Sequence, residues 1–167
     1  CSSFPNGAGM DRLYAPWRSA YFKLAKDGEC LFCAVQRQTR DEESWILHRG
    51  RGWFVILNAF PYTSGHLMIV AARHVRGFAD LTADEGAELA ALLAVSERAI
   101  GAAYRPDGIN VGVNIGEAAG AGIAGHLHVH LCPRWNGDTN FMTTVAETRV
   151  VSEALEESYR RLRPLFP

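Results

Sequence analysis

The spacing of apolar residues changes along the chain, and each change marks a different kind of element. Ser44–Arg49 and Gly52–Phe60 are short runs rich in aromatic and β-branched residues, separated by Gly50–Gly52, and they read as a hairpin. A turn at Pro61–Gly65 leads into a third run of this type, His66–Val75. The period then lengthens: Leu89, Leu92, Leu93, Ser96, Ala99 and Ile100 recur at helical spacing. Thr82 followed by Glu85 is the pair that caps a helix start, which predicts a long helix over Ala83–Tyr104. Ile109–Gly116 alternates as a strand does, and the glycine-rich Glu117–Gly125 leads directly into an apolar–histidine alternation that ends near Trp135. Asn140–Val151 reads as extended, and Val151, Leu155, Tyr159 and Leu162 form the stripe of a C-terminal helix halted by Pro164. The predicted fold class is α+β: an antiparallel sheet of about five strands with one long central helix and a C-terminal helix.

Composition narrows this picture. A chain of 167 residues, 48% of them hydrophobic, has the size of one core, so residues 30–167 are expected to form a single domain. Residues 1–29 read as an N-terminal extension: Cys1–Gly9 is a Gly/Ser/Pro-rich lead-in, and Asp11–Ala25, broken by Pro16, is expected to cover a neighbour rather than form a long helix. A net charge of -1 offers no general attraction to nucleic acid or anionic membrane, so any phosphate binding must come from a local site. No run reaches the roughly 18 apolar residues of a membrane span, and no signal segment is visible; a cytoplasmic protein is expected. Four cysteines are too few for a disulfide scaffold, and two of them, Cys30 and Cys33, have the spacing of metal ligands or of a redox pair.

The chemistry concentrates in Gly125–Trp135. Of six histidines in the chain, His126, His128 and His130 occupy alternate positions of this run. On a strand they project from one face while Leu127, Val129 and Leu131 project into the core. Imidazole titrates near neutrality and serves as nucleophile, proton carrier or metal ligand. Two blander readings stand beside that one: the polar face of a half-buried strand, or a zinc centre made of histidines alone, since alternate strand positions can share one metal.

The run "HLHVHLCP" resembles the signature of the histidine triad superfamily of nucleotidyl hydrolases and transferases. "NAFPYTSGHLMIVAARHV", "LTADEGAELAALL" and "INVGVNIG" with its glycine loop follow in that family's order, so the resemblance covers about Cys30 to Trp135. It implies that His128 attacks the α-phosphate of a nucleotide to form a nucleotidyl-histidine, and that His130 and His66 orient and tune that imidazole. Asn58 would bind the ribose hydroxyls and Asn114 would face sugar and phosphate. Glycines of the loop, Gly120 and Gly122 among them, could offer unobstructed backbone N–H groups to developing phosphate charge, although a loop of this kind is by itself only a flexible turn.

A subset of the family also carries a cysteine pair, and the resemblance implies a structural zinc on Cys30, Cys33, His74 and His126. Four such ligands close the coordination sphere, so the ion would tether rather than catalyse. The family's usual two-fold pairing through the long helix and a strand implies a homodimer; Ala90, Ala91 and Ala94 fit close approach, and equally fit ordinary helix-on-sheet packing.

Many hydrolase members carry Gln four residues before the first triad histidine, where this chain has Gly122 in a loop lengthened at Ala121. The loss of that amide leaves room for inorganic phosphate as acceptor. "DRLYAPWR", "NAFPYTSGHLM" and "RWNGDTNFM" likewise look like the bacterial diadenosine tetraphosphate phosphorylase branch, in which Trp135 would lie near the nucleotide. The expected activity is therefore cleavage of dinucleoside polyphosphates, with phosphorolysis to ATP and ADP ahead of hydrolysis. A nucleoside phosphoramidase is the alternative within the family, and a non-catalytic zinc-stabilised nucleotide-binding module the alternative outside it.

Overall fold

A computed structural model describes residues 28–139 and 153–167. Its elements in chain order are α1 (Leu31–Gln36), α2 (Asp41–Ser44), β1 (Ile46–Arg49), β2 (Trp53–Leu57), β3 (Leu67–Ala71), α3 (Ala83–Tyr104), β4 (Gly108–Gly112), β5 (His128–Arg134) and α4 (Leu155–Leu162). The strands form one sheet in the order β1-β2-β3-β5-β4, and every neighbouring pair is antiparallel. The α+β layer expected from the hydrophobic pattern is the fold observed. The expected extended stretch at 140–151 and the aromatic stretch at 11–25 lie outside the described residues.

The two hydrophobic periods explain the layering. All five residues of β2 and all five of β3 are buried; α3 and α4 pack on the sheet through Leu89, Leu92, Ala99, Ile100, Leu155 and Leu162, while Met68 and Val70 share the opposite face with the histidines of β5. The predicted capping box is present: Glu85 N–H donates to Thr82 Oγ1 at 3.2 Å and Thr82 N–H donates to the Glu85 carboxylate at 2.8 Å. The same helix pins the β1–β2 turn. The N–H groups of Arg51 and Gly52 donate to the Glu88 carboxylate at 2.7 and 2.9 Å, and the Trp53 indole donates to the Glu85 carbonyl at 2.8 Å. A Cβ on Gly50 would meet the Glu88 carboxylate, so a side chain there would push that carboxylate from its place.

Three expectations need correction. The segment Asp41–Ser44, for which no element was predicted, is a short helix, closed by Trp45 in the left-handed region at φ 60°. The Cys30–Cys33 segment, for which no helix was expected, starts α1, with Cys30 at its N-cap and Cys33 inside it. The third strand ends at Ala71, so His74 stands in the loop beyond it rather than on the strand. The edge strand β4 is largely exposed, with Val111 at 55%. Among the described residues no helix is long and apolar enough to cross a membrane.

Candidate active site and metal centre

Five of the six histidines meet at one end of the sheet; His48 alone lies elsewhere, beside Phe166. Register places them. β5 pairs with β3 so that His128 faces Val70 and His130 faces Met68, and on the other side His130 faces Gly112 of β4. β5 starts at His128, so His126 stands just before the strand rather than on it; His126 and His128 are 1% and 5% exposed, and Leu127 and Val129 are buried as well.

His128 has a fixed tautomer. Its Nδ1 lies 2.7 Å from the carbonyl oxygen of His126, which can only accept, so Nδ1 carries the proton and Nε2 keeps its lone pair. Burial holds the imidazole below its ordinary pKa, against the pull of that carbonyl, and the ring is therefore neutral at neutral pH.

A second chain of hydrogen bonds fixes His66 and His130. The Tyr62 backbone N–H donates to His66 Nδ1 at 3.1 Å. The proton of His66 must then sit on Nε2, which lies 2.9 Å from His130 Nδ1. His130 Nδ1 accepts, so its Nε2 carries a proton and is a donor. Burial, then the neighbouring His130, lowers the pKa of His66 to about 3. Burial, then His128, lowers that of His130 to about 4. Asn58 Nδ2 lies 3.3 and 3.4 Å from the two ring nitrogens of His66, a position over the ring, and its Oδ1 accepts from Phe60 N–H at 2.9 Å.

A cavity of about 350 Å³ opens in front of these groups. His128, His130, Asn58, Asn114, Gly120 and Gly122 all line it, with Leu31, Phe32 and Met68 among its apolar walls. Asn114 Nδ2 reaches the Gly120 carbonyl at 3.5 Å, and Gly116 and Gly120 adopt φ of 85° and 84°, a conformation that the glycines make accessible. His66 stands behind His130 and does not line the cavity. Trp135 does not line it either: it packs edge-on to Tyr104 and opens, with Ser64 and Arg161, onto a different cleft. Arg134 is engaged by Asp138 at 2.6 and 2.7 Å and by Asn110 at 2.8 Å.

Two contributors escaped the sequence reading. Tyr62 offers its backbone to His66 and its ring to His130, with centroids 6.1 Å apart and planes at 25°. Its one visible signal was an aromatic residue in a turn otherwise made of Pro, Thr, Ser and Gly. Phe32, between the cysteines, packs on His126 at 5.4 Å and on His128 at 5.0 Å.

Behind the cavity, one ligand atom each from Cys30, Cys33, His74 and His126 lie within 4.8 Å of one another. Cys30 Sγ is 3.3 Å from His126 Nδ1, and Cys33 Sγ is 3.4 Å from His74 Nδ1. His126 Nε2 donates to the Ala71 carbonyl at 2.7 Å, which fixes its proton there and turns the unprotonated Nδ1, with its lone pair, toward the sulfurs. Two thiolates and two imidazoles that converge in this way suit a tetrahedral zinc ion.

Residues 40–137 match the HIT domain family. AP-4-A phosphorylase of Mycobacterium tuberculosis is 39% identical over 171 residues, which span 95% of this chain and 88% of that protein. A hypothetical histidine triad nucleotide-binding protein from Sulfolobus tokodaii has a similar structure, with a TM-score of 0.65 at 27% identity, over 81% of this chain and 91% of the other. A Zn-bound histidine triad family protein from Mycobacterium smegmatis gives a TM-score of 0.61 at 27% identity, over 84% of this chain and 94% of the other. With the alternating histidines on β5 and the sheet order that carries them, these matches establish that the chain belongs to the histidine triad family.

Proposed function

We propose that this protein cleaves dinucleoside polyphosphates of the diadenosine tetraphosphate type through a nucleotidyl-His128 intermediate, with inorganic phosphate as acceptor. The observation that carries this reading is the hydrogen bond from His128 Nδ1 to the His126 carbonyl, which leaves Nε2 as a free nucleophile in a residue that lines the cavity. Nε2 attacks the α-phosphorus, the N–P bond forms and the P–O bond to the departing nucleoside triphosphate breaks. An oxygen of phosphate then attacks the same phosphorus, the N–P bond breaks, and ADP forms beside the ATP already released. His130 Nε2–H donates to the phosphate oxygens as charge builds, and the loop at Gly120 and Gly122 presents backbone to the same region. Asn58 and Asn114 serve the ribose and phosphate. The M. tuberculosis relative named for AP-4-A phosphorolysis supports the choice of substrate and acceptor.

Zinc fits Cys30, Cys33, His74 and His126, and the Zn-bound relative from M. smegmatis supports its assignment here. With all four positions filled by protein, a zinc ion there would supply folding energy rather than an open coordination site. The reduced thiols such a centre needs suit a cytoplasmic setting. A homodimer is favoured by the exposed β4 edge and by the groove that Ala90, Leu93 and Ala94 of α3 form with Ile109 and Val111. Charge gives no support to nucleic-acid or membrane partners.

The test is incubation with diadenosine tetraphosphate, with and without phosphate, followed by chromatography. ATP and ADP in equal amounts only with phosphate is the expected result. AMP formed without phosphate would establish hydrolysis instead, and intact substrate in both arms would leave a binding module.

A further inference from the structure

A second cavity, of about 470 Å³, opens beyond His130. It shares Tyr62, Asn114 and His130 with the first and continues along β5 to Cys132 and Arg134. Four features give it the character of a built site. Tyr62 is 52% exposed and stands where the two cavities meet, its ring stacked on His130. Arg134 lies four residues farther along the strand, about 13 Å away by the rise of extended backbone, and its guanidinium is held by Asp138 and Asn110. Thr63 lines the cavity at 8% exposure, and its buried hydroxyl has no hydrogen-bond partner among the described residues. Gly112, opposite His130 in the register, has open space where a Cβ would stand.

We infer that this second cavity receives the second nucleoside, the base and ribose of the nucleoside polyphosphate that departs from His128. The inference rests on the proposed function above. If the transferred nucleotide fills the cavity of Asn58 and Phe32, its α-phosphorus lies at His128. The polyphosphate then runs past His130, the adjacent donor, along the same face of β5. The bare Tyr62 face offers stacking to a base, and the fixed Arg134 guanidinium offers a second planar surface. Thr63 and the Asn110 amide supply polar groups for a ribose. Gly112 keeps the floor open, and its backbone conformation tolerates a side chain.

The test compares diadenosine tetraphosphate with adenosine 5′-phosphorimidazolide, whose leaving group carries no second nucleoside, in wild type, Gly112→Leu and Thr63→Val. Filling the floor or removing the Thr63 hydroxyl should raise KM for the dinucleotide about tenfold or more. Turnover of the imidazolide and affinity for AMP should stay within about twofold. Equal losses on both substrates, or no change on either, would overturn the inference while leaving the proposed function intact. A wild-type protein that consumes the imidazolide but not the dinucleotide would overturn both.

Discussion

His66 and His130 are joined ring to ring, Nε2 to Nδ1 at 2.9 Å, and the proton between them belongs to His66 because the Tyr62 amide occupies its other nitrogen. His130 therefore presents a proton, not a lone pair, to the cavity. His66→Ala removes the group that sets this tautomer without touching His128. Turnover should fall by roughly 10²-fold, with KM changed far less. His66→Gln, which keeps a donor near His130, should recover part of the loss in steady-state assays.

His128→Ala deletes the nucleophile and should abolish turnover, while AMP binding measured by calorimetry stays within a few-fold of wild type. Acid quench during turnover should trap a nucleotidyl adduct on the wild-type chain by intact mass, and none on the variant. Turnover retained by the variant within a few-fold would rule out the covalent route.

Cys30→Ala should lower bound zinc below one ion per chain and reduce the melting temperature by on the order of 10 °C. A chelator should destabilise the wild type and leave the variant unchanged. A wild-type protein free of zinc by elemental analysis would remove the metal assignment and leave the histidine chemistry standing.

Stability should depend on pH through His66 and His130, whose folded values lie at about 3 and about 4 against an ordinary 6.5. A histidine that is harder to protonate when folded binds fewer protons than in the unfolded chain, so stability rises with pH between the two values. The contribution is complete above about 6.5 and is lost as pH falls toward the folded values. Thermal unfolding from pH 7.5 to 4 should show a falling melting temperature, with a shallower slope in His66→Gln.

Much of this was legible because it is local. The alternation around His128, the Thr82–Glu85 cap and the spacing of the α3 stripe are written within a few residues of one another, and the structure reproduces them. What the sequence hid depends on groups that meet across the fold or on backbone atoms. α1 is six residues long and carries no side-chain cap, so nothing marked it as helical. The Ala71 and His126 carbonyls that fix two imidazoles have no side-chain signature at all. Trp135 shares the strand's sequence run but lies just past its end, where the chain turns its ring to Tyr104.

His126 serves two masters: its imidazole turns toward the sulfurs, while its main-chain oxygen grips the ring of His128. A disturbance among the cysteines consequently has only one peptide unit to cross before it reaches the reacting nitrogen. Architecture and reactivity here share a single hinge pin, and an engineer could not replace the metal clip with a new staple without re-seating the nucleophile.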